Sequence, residues 1–154
     1  MLSTVHTNDA PSTIDRLVDM GVEPFLVAAS VNLILAQRLV RRVCSKCQGE
    51  VDVHDEALRE LGWTRVDARN IKFFKGRGCP ACNNTGYLGR QGVYEVMPVS
   101  PTIRRMILDR ASSEQIKKQA TDEGMLTLRQ DALRKLKAGT TTVEEVLRET
   151  ARDD

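Results

Sequence analysis

At 154 residues the chain has room for one ordinary domain or two small ones, and its 41% hydrophobic and 29% charged content is that of a folded globular protein. A net charge of +2 with 4% aromatic residues argues against a dedicated nucleic-acid surface. The longest apolar stretch, residues 25–36, is interrupted by Ser30 and Asn32 and falls short of the about 20 residues that a membrane-crossing helix needs.

Along the chain, residues 2–7 alternate weakly and read as a short strand or its exit loop. Asn8 and Asp9 offer helix caps, Pro11 suits a first turn, and Gly21 ends a helix with Ile14, Leu17 and Val18 on one face. Pro24 then predicts a second, longer helix to about residue 43, buried where it is apolar. Arg38, Arg41 and Arg42 would complement the dipole at its end. A short helix over 55–61 is ended by Gly62, and His54 stands solvent-facing near its start. Residues 71–74 and 93–97 read as strands that pair antiparallel around a glycine-punctuated loop, 76–92. The last third is helical. Ser100 and Pro101 open one helix, and capping boxes follow at Ser112 with Gln115, Thr127 with Gln130 and Thr142 with Glu145, with Gly124 and Gly139 near the intervening helix ends. Helices this short are marginal alone and must bury their apolar stripes.

All four cysteines fall in two pairs, Cys44-Ser-Lys-Cys47 and Cys79-Pro-Ala-Cys82. Two residues between thiols let one tight turn present both to the same ion. Two such turns complete the four-sulfur shell that Zn²⁺ accepts, so the spacing predicts a closed structural zinc site at the tip of the hairpin. Iron bound by the same four sulfurs remains open from sequence. Disulfides would need an oxidising compartment, whereas the polar run after Met1 lacks the form of a signal peptide. A redox role fits poorly with a second matched pair. Four thiolates leave no position for a catalytic water.

No Gly-x-x-x-x-Gly-Lys-Ser/Thr phosphate loop occurs, and neither Gly76-Arg77-Gly78 nor Gly86-Tyr87-Leu88-Gly89 supplies its lysine or helix entry. No Ser-His-Asp or Cys-His set suggests itself. Of the two histidines, His6 precedes Thr7-Asn8-Asp9 at a helix N-terminus, an anion-facing position, although residue type alone favours a structural role there.

Several segments in order carry a resemblance. Leu2-Ser3-Thr4-Val5-His6-Thr7-Asn8-Asp9-Ala10 resembles the histidine box of the secretion ATPase superfamily. Ala36-Gln37-Arg38-Leu39-Val40-Arg41 runs into the first cysteine pair. Gly78-Cys79-Pro80-Ala81-Cys82-Asn83-Asn84-Thr85-Gly86-Tyr87-Leu88-Gly89-Arg90 runs into Gly92-Val93-Tyr94-Glu95. The tail adds Glu123-Gly124-Met125, Thr127-Leu128-Arg129 and Glu144-Glu145-Val146-Leu147. Together they look like the C-terminal part of the ATPase of bacterial type II secretion and type IV pilus assembly, with the tail leaning slightly to the pilus branch.

The resemblance implies an α/β fragment, the C-terminal part of a RecA-like P-loop ATPase domain. It would be mostly helical here, with an antiparallel hairpin carrying the zinc site and a C-terminal helical bundle. Residues 1–43 would be the remnant of the ATPase core, 44–97 the tetracysteine subdomain and 98–154 the helical subdomain. It further implies a hexameric cytoplasmic motor, peripheral to the bacterial inner membrane and docked there through platform and docking proteins, that spends ATP with Mg²⁺ to polymerise pilin-like subunits. His6 matches the histidine lining the nucleotide site toward the γ-phosphate, Arg90 an arginine near the nucleotide base, and Cys44, Cys47, Cys79 and Cys82 the zinc ligands. The family's Walker A, Walker B and aspartate-box segments precede the histidine box and are not in this sequence. The chain alone is therefore expected to be inactive, as a fragment or part of a split gene. The competing expectation is a free-standing zinc-stapled protein-interaction module.

Overall fold

The structure is a computed structural model that describes residues 1–152. Among them are eight α-helices and four strands, divided between two compact units. The first comprises Met1–Gln37 and Tyr94–Thr127, the second Arg38–Val93 and Leu128–Asp154. Two long strands, β1 (Leu33–Val43) and β4 (Tyr87–Pro98), pair with each other, and each has residues in both units.

The first unit holds α1 (Ser12–Asp19), α2 (Pro24–Ser30), α5 (Pro101–Leu108) and α6 (Ser113–Asp122). Their apolar faces meet in one core: Ile14 of α1, Val27 and Ala28 of α2, Ile103 and Ile107 of α5, Ile116 and Ala120 of α6, with Ile34 and Met97 from the strands. Burying a side chain of this size contributes about 1.5–3 kcal/mol, which stabilises helices too short to persist alone. The sequence signals act locally as expected. Asp9 Oδ1 accepts from the Ser12 amide (3.0 Å), Leu17 and Val18 pack beside Ile14, and Gly21 takes a positive φ of 91° where α1 stops. Ser100 accepts from the Ile103 amide (3.2 Å), and Ser112 and Gln115 form a reciprocal capping box.

Residues 2–7 take the loop form of the two expected, and among the described residues no strand pairs with them. One expectation is corrected here. The predicted helix 24–43 is two elements: α2 ends at Ser30, whose hydroxyl donates back to the Leu26 carbonyl, and β1 follows. Burial along β1 alternates from Leu33 to Val40, with Ile34 and Val40 inside and Leu33, Leu35 and Leu39 outside. Both parities are apolar, which hides a period of two inside what looks like a continuous buried run. Burial is likewise partial, for Phe25 and Leu26 of α2 are exposed. Of the last four helices, α5 and α6 belong to the first core, and α7 and α8 to the second unit.

The second unit holds β2 (Gln48–Val51), α3 (Asp55–Glu60), α4 (Arg65–Ala68), β3 (Phe73–Gly76), α7 (Leu128–Lys137) and α8 (Val143–Glu149). The helix expected over 55–61 forms, with Gly62 at φ 79° ending it and His54 exposed before it. The hairpin differs from expectation. β3 pairs antiparallel with β2, placing Gln48 opposite Gly76 and Val51 opposite Phe73, while β4 pairs with β1. Gln48-Gly49-Glu50 has little intrinsic strand preference, so the true partner of β3 carries no signal of its own. Leu58, Phe73, Leu136 and Val146 are buried in this unit.

Candidate metal centre

The first cysteine pair begins where β1 ends, and Cys47 leads directly into β2. The second pair follows β3: Cys79 opens a single 3-10 turn, Pro80–Cys82, after which Asn83 and Asn84 take left-handed conformations at φ 51° and 60°. Asparagine is among the few non-glycine residues that adopt this region readily. The chain thus curls back over its own sulfurs. Two backbone hydrogen bonds tie one turn to the other, from the Cys44 amide to the Gly86 carbonyl (2.9 Å) and from the Arg77 amide to the Cys47 carbonyl (3.0 Å). The crossing is close enough that a Cβ on Gly76 would lie 2.0 Å from the Gly86 carbonyl oxygen, so only glycine fits there.

All four sulfurs consequently lie within 4.8 Å of one another. Cys44 and Cys79 are 3.9 Å apart, Cys47 and Cys82 3.8 Å, and Cys79 and Cys82 3.7 Å. A disulfide would need about 2.05 Å, and all four cysteines are free. Metal–sulfur bonds of about 2.3 Å in a tetrahedron give edges of about 3.8 Å, which these separations match. The donor set therefore fits a four-coordinate metal ion.

The surroundings also prepare the sulfurs for a cation. The Cys79 and Gly86 amides both donate to Cys82 Sγ at 3.3 Å. Burial opposes the Cys82 thiolate, but those two amides and the neighbouring Cys79 and Cys47 thiols outweigh it and bring the thiol down to about 6. Cys47 goes the other way, pushed up to about 11 by burial and by the other three cysteines, against a backbone donor at Gly78. Packed this closely, the sulfurs resist accumulating negative charge by themselves, and a divalent ion reverses that logic.

The other two expected site residues lie elsewhere. His6 is exposed in the irregular segment before α1, in the first unit, and Arg90 is exposed on β4, in the second. The structure gathers the four cysteines within the second unit.

Sequence reasoning missed an ion-pair cluster around a buried carboxylate beside the metal centre. Arg41, three residues before Cys44, lies on β1 rather than at a helix end. Its guanidinium and its amide both reach Glu145 of α8, a carboxylate with no exposed surface. Arg148 also donates to Glu145 (2.8 Å). Arg41 stacks 4.0 Å over the Tyr87 ring, and the Tyr87 hydroxyl meets that of Thr142 at 2.9 Å. Thr142 caps α8 as expected, accepting from the Glu145 amide at 3.3 Å, but the Glu145 side chain serves Arg41. A Glu at the third helical position is a capping signal in sequence, and its diversion to a strand 104 residues away has none.

No helix among the described residues is long and apolar enough to cross a membrane. The profile of the type II/IV secretion system protein family matches residues 1–148. The chain is 46% identical to the type IV pilus assembly ATPase PilB of Myxococcus xanthus, over 99% of its own length and 27% of that protein. It is 45% identical to PilB of Thermus thermophilus, over 97% of this chain and 17% of that one. It is 44% identical to the type II secretion system protein HxcR of Pseudomonas aeruginosa, over 97% of this chain and 28% of the relative. The chain thus spans between about a sixth and under a third of the length of these relatives.

Proposed function

Because the chain belongs to the type II/IV secretion system protein family, we propose that it is the C-terminal portion of a hexameric cytoplasmic ATPase, peripheral to the bacterial inner membrane. ATP hydrolysis there would drive assembly of pilin or pseudopilin subunits, for type IV pilus biogenesis or type II secretion. The observation that carries this reading is the match along nearly the whole chain to relatives named as pilus assembly ATPases and secretion proteins. Platform and docking proteins of the inner membrane would be its partners, together with other copies of the whole protein. A RecA-like core would supply the phosphate loop and Mg²⁺ site that phosphoryl transfer depends on. Those elements have no counterpart in this sequence, so the chain by itself does not hydrolyse ATP.

Within that portion, Cys44, Cys47, Cys79 and Cys82 hold a structural Zn²⁺. The supporting observation is a four-sulfur cage with no oxygen or nitrogen ligand, which suits a borderline-soft, geometrically undemanding ion. His6 faces the γ-phosphate of ATP in the whole protein, and Arg90 lies near its base.

Sequencing the DNA immediately upstream and in frame tests the reading. An encoded phosphate loop is the expected result. A ribosome-binding site directly before Met1 would instead indicate a free-standing zinc-stapled interaction module.

A further inference from the structure

Glu95 sits on β4 two positions before Met97, a residue with no exposed surface, and is itself 1% exposed. A carboxylate in that row costs far more to bury than an apolar side chain unless it is paired or hydrogen-bonded. Its Oε1 accepts from the Ala10 amide at 2.7 Å, and Ala10 has no exposed surface. Ala10 is also the point where the irregular segment carrying His6 meets α1. Its carbonyl accepts from the Thr13 amide at 3.2 Å in the helix's first turn, so Ala10 is held from both sides. Between Ala10 and His6, Asp9 Oδ1 accepts from Ser12, and the Thr7 hydroxyl meets that of Thr13 at 2.9 Å. The last four residues of the histidine box are thereby fastened to α1, and α1 is fastened to β4 through one buried carboxylate.

We propose that Glu95 is a positioning residue for His6, its carboxylate holding the Ala10 amide so that the histidine segment departs from α1 at a fixed point. This rests on the reading that His6 faces the γ-phosphate. An apolar side chain of similar volume would fill the core equally well and leave the Ala10 amide without this acceptor, so the carboxyl serves position rather than core filling.

Two measurements separate the proposal from that reading. In the 154-residue chain, Glu95→Ala should speed hydrogen exchange at the Ala10 amide by about tenfold or more relative to wild type, with Glu95→Gln between them. Unchanged exchange at Ala10 overturns the tether. In the longer protein that hydrolyses ATP, Glu95→Ala should lower kcat by about tenfold with little change in KM, and Glu95→Gln should restore part of it. Losses explained wholly by the unfolded fraction overturn the positioning role. If His6→Ala lowers kcat and Glu95→Ala does not, the reading of His6 stands and the proposal fails. If exchange responds but neither substitution alters kcat, the reading of His6 fails and takes the positioning role with it.

Discussion

Glu145 receives three hydrogen bonds from Arg41: the backbone amide reaches Oε2 at 2.8 Å, and Nε and Nη2 reach Oε1 at 3.0 and 2.7 Å. The pair joins the last turn of sequence before the metal ligands to the first turn of α8. Two further bonds run parallel to it, from the Val43 amide to the Thr140 carbonyl (2.9 Å) and from the Thr141 hydroxyl to the Arg41 carbonyl (2.8 Å). The end of β1 is thus gripped along its backbone just ahead of Cys44.

Truncating Arg41 strands a buried carboxylate with Arg148 as its remaining cationic partner. Arg41→Ala should therefore destabilise the second unit by about 1–2 kcal/mol, since the exposed side of Arg41 is screened and Arg148 still pairs with Glu145. Arg41→Ala combined with Glu145→Gln should lose less than the sum of the two single changes. Denaturant unfolding of the four proteins in a double-mutant cycle measures this coupling, and strict additivity would show the pair to be energetically idle.

The same carboxylate makes stability depend on acid. Burial alone would raise Glu145, but the hydrogen bonds and charge of Arg41, with the charge of Arg148, outweigh it and hold it below the usual carboxylate range. A depressed folded-state value contributes stability above the unfolded value of about 4.3, and that contribution is lost as pH falls through the folded one. Wild type should lose stability more steeply than Glu145→Gln below about pH 4.5. Parallel unfolding curves for the two proteins between pH 3 and 7 would contradict this.

What could be read in the sequence tracks how local each cause is. Cys44-x-x-Cys47 and Cys79-x-x-Cys82 announce their shared purpose, because spacing within a turn decides which thiols converge. Ser100, Ser112 and Thr142 announce helix starts for the same reason. β1 was hidden by leucines on its exposed face, and β2 by residues that become a strand only opposite β3. The exchange of hairpin partners, and the diversion of Glu145 from cap to ion pair, are long-range effects with no local trace. The readings of His6 and Arg90 rest on family resemblance, since the geometry of this chain does not single them out.

Gly76 offers a purely steric test of the centre. Gly76→Ala sets a methyl 2.0 Å from the Gly86 carbonyl oxygen, against backbone that cannot rotate away. The two cysteine turns must separate, with a cost of at least about 2 kcal/mol and weakened metal retention. Gly62→Ala is the control. Its φ of 79° strains a Cβ by about 1–2 kcal/mol, yet nothing lies within 4 Å. It should leave metal retention at the wild-type level. Competition with a chromogenic chelator reads both, and equal retention by Gly76→Ala and Gly62→Ala would refute the close crossing as a determinant of the site.

The Cys82 thiol, brought down to about 6 by the Cys79 and Gly86 amides against its burial, should ionise before Cys47, which is pushed up to about 11. Cys82→Ser should leave a three-thiolate site, and Co²⁺ loaded into the variant should show weaker thiolate-to-metal charge-transfer absorption and blue-shifted visible bands relative to the four-sulfur complex. Retention of the four-sulfur bands would assign the fourth ligand elsewhere.

The most direct measurement is the metal content of the purified chain, by elemental analysis, coupled to its unfolding before and after chelation. The account predicts about one zinc per chain and a marked loss of stability when it is removed, because forming the site is part of folding. A chain that purifies without metal, and unfolds identically with and without added zinc, would contradict it.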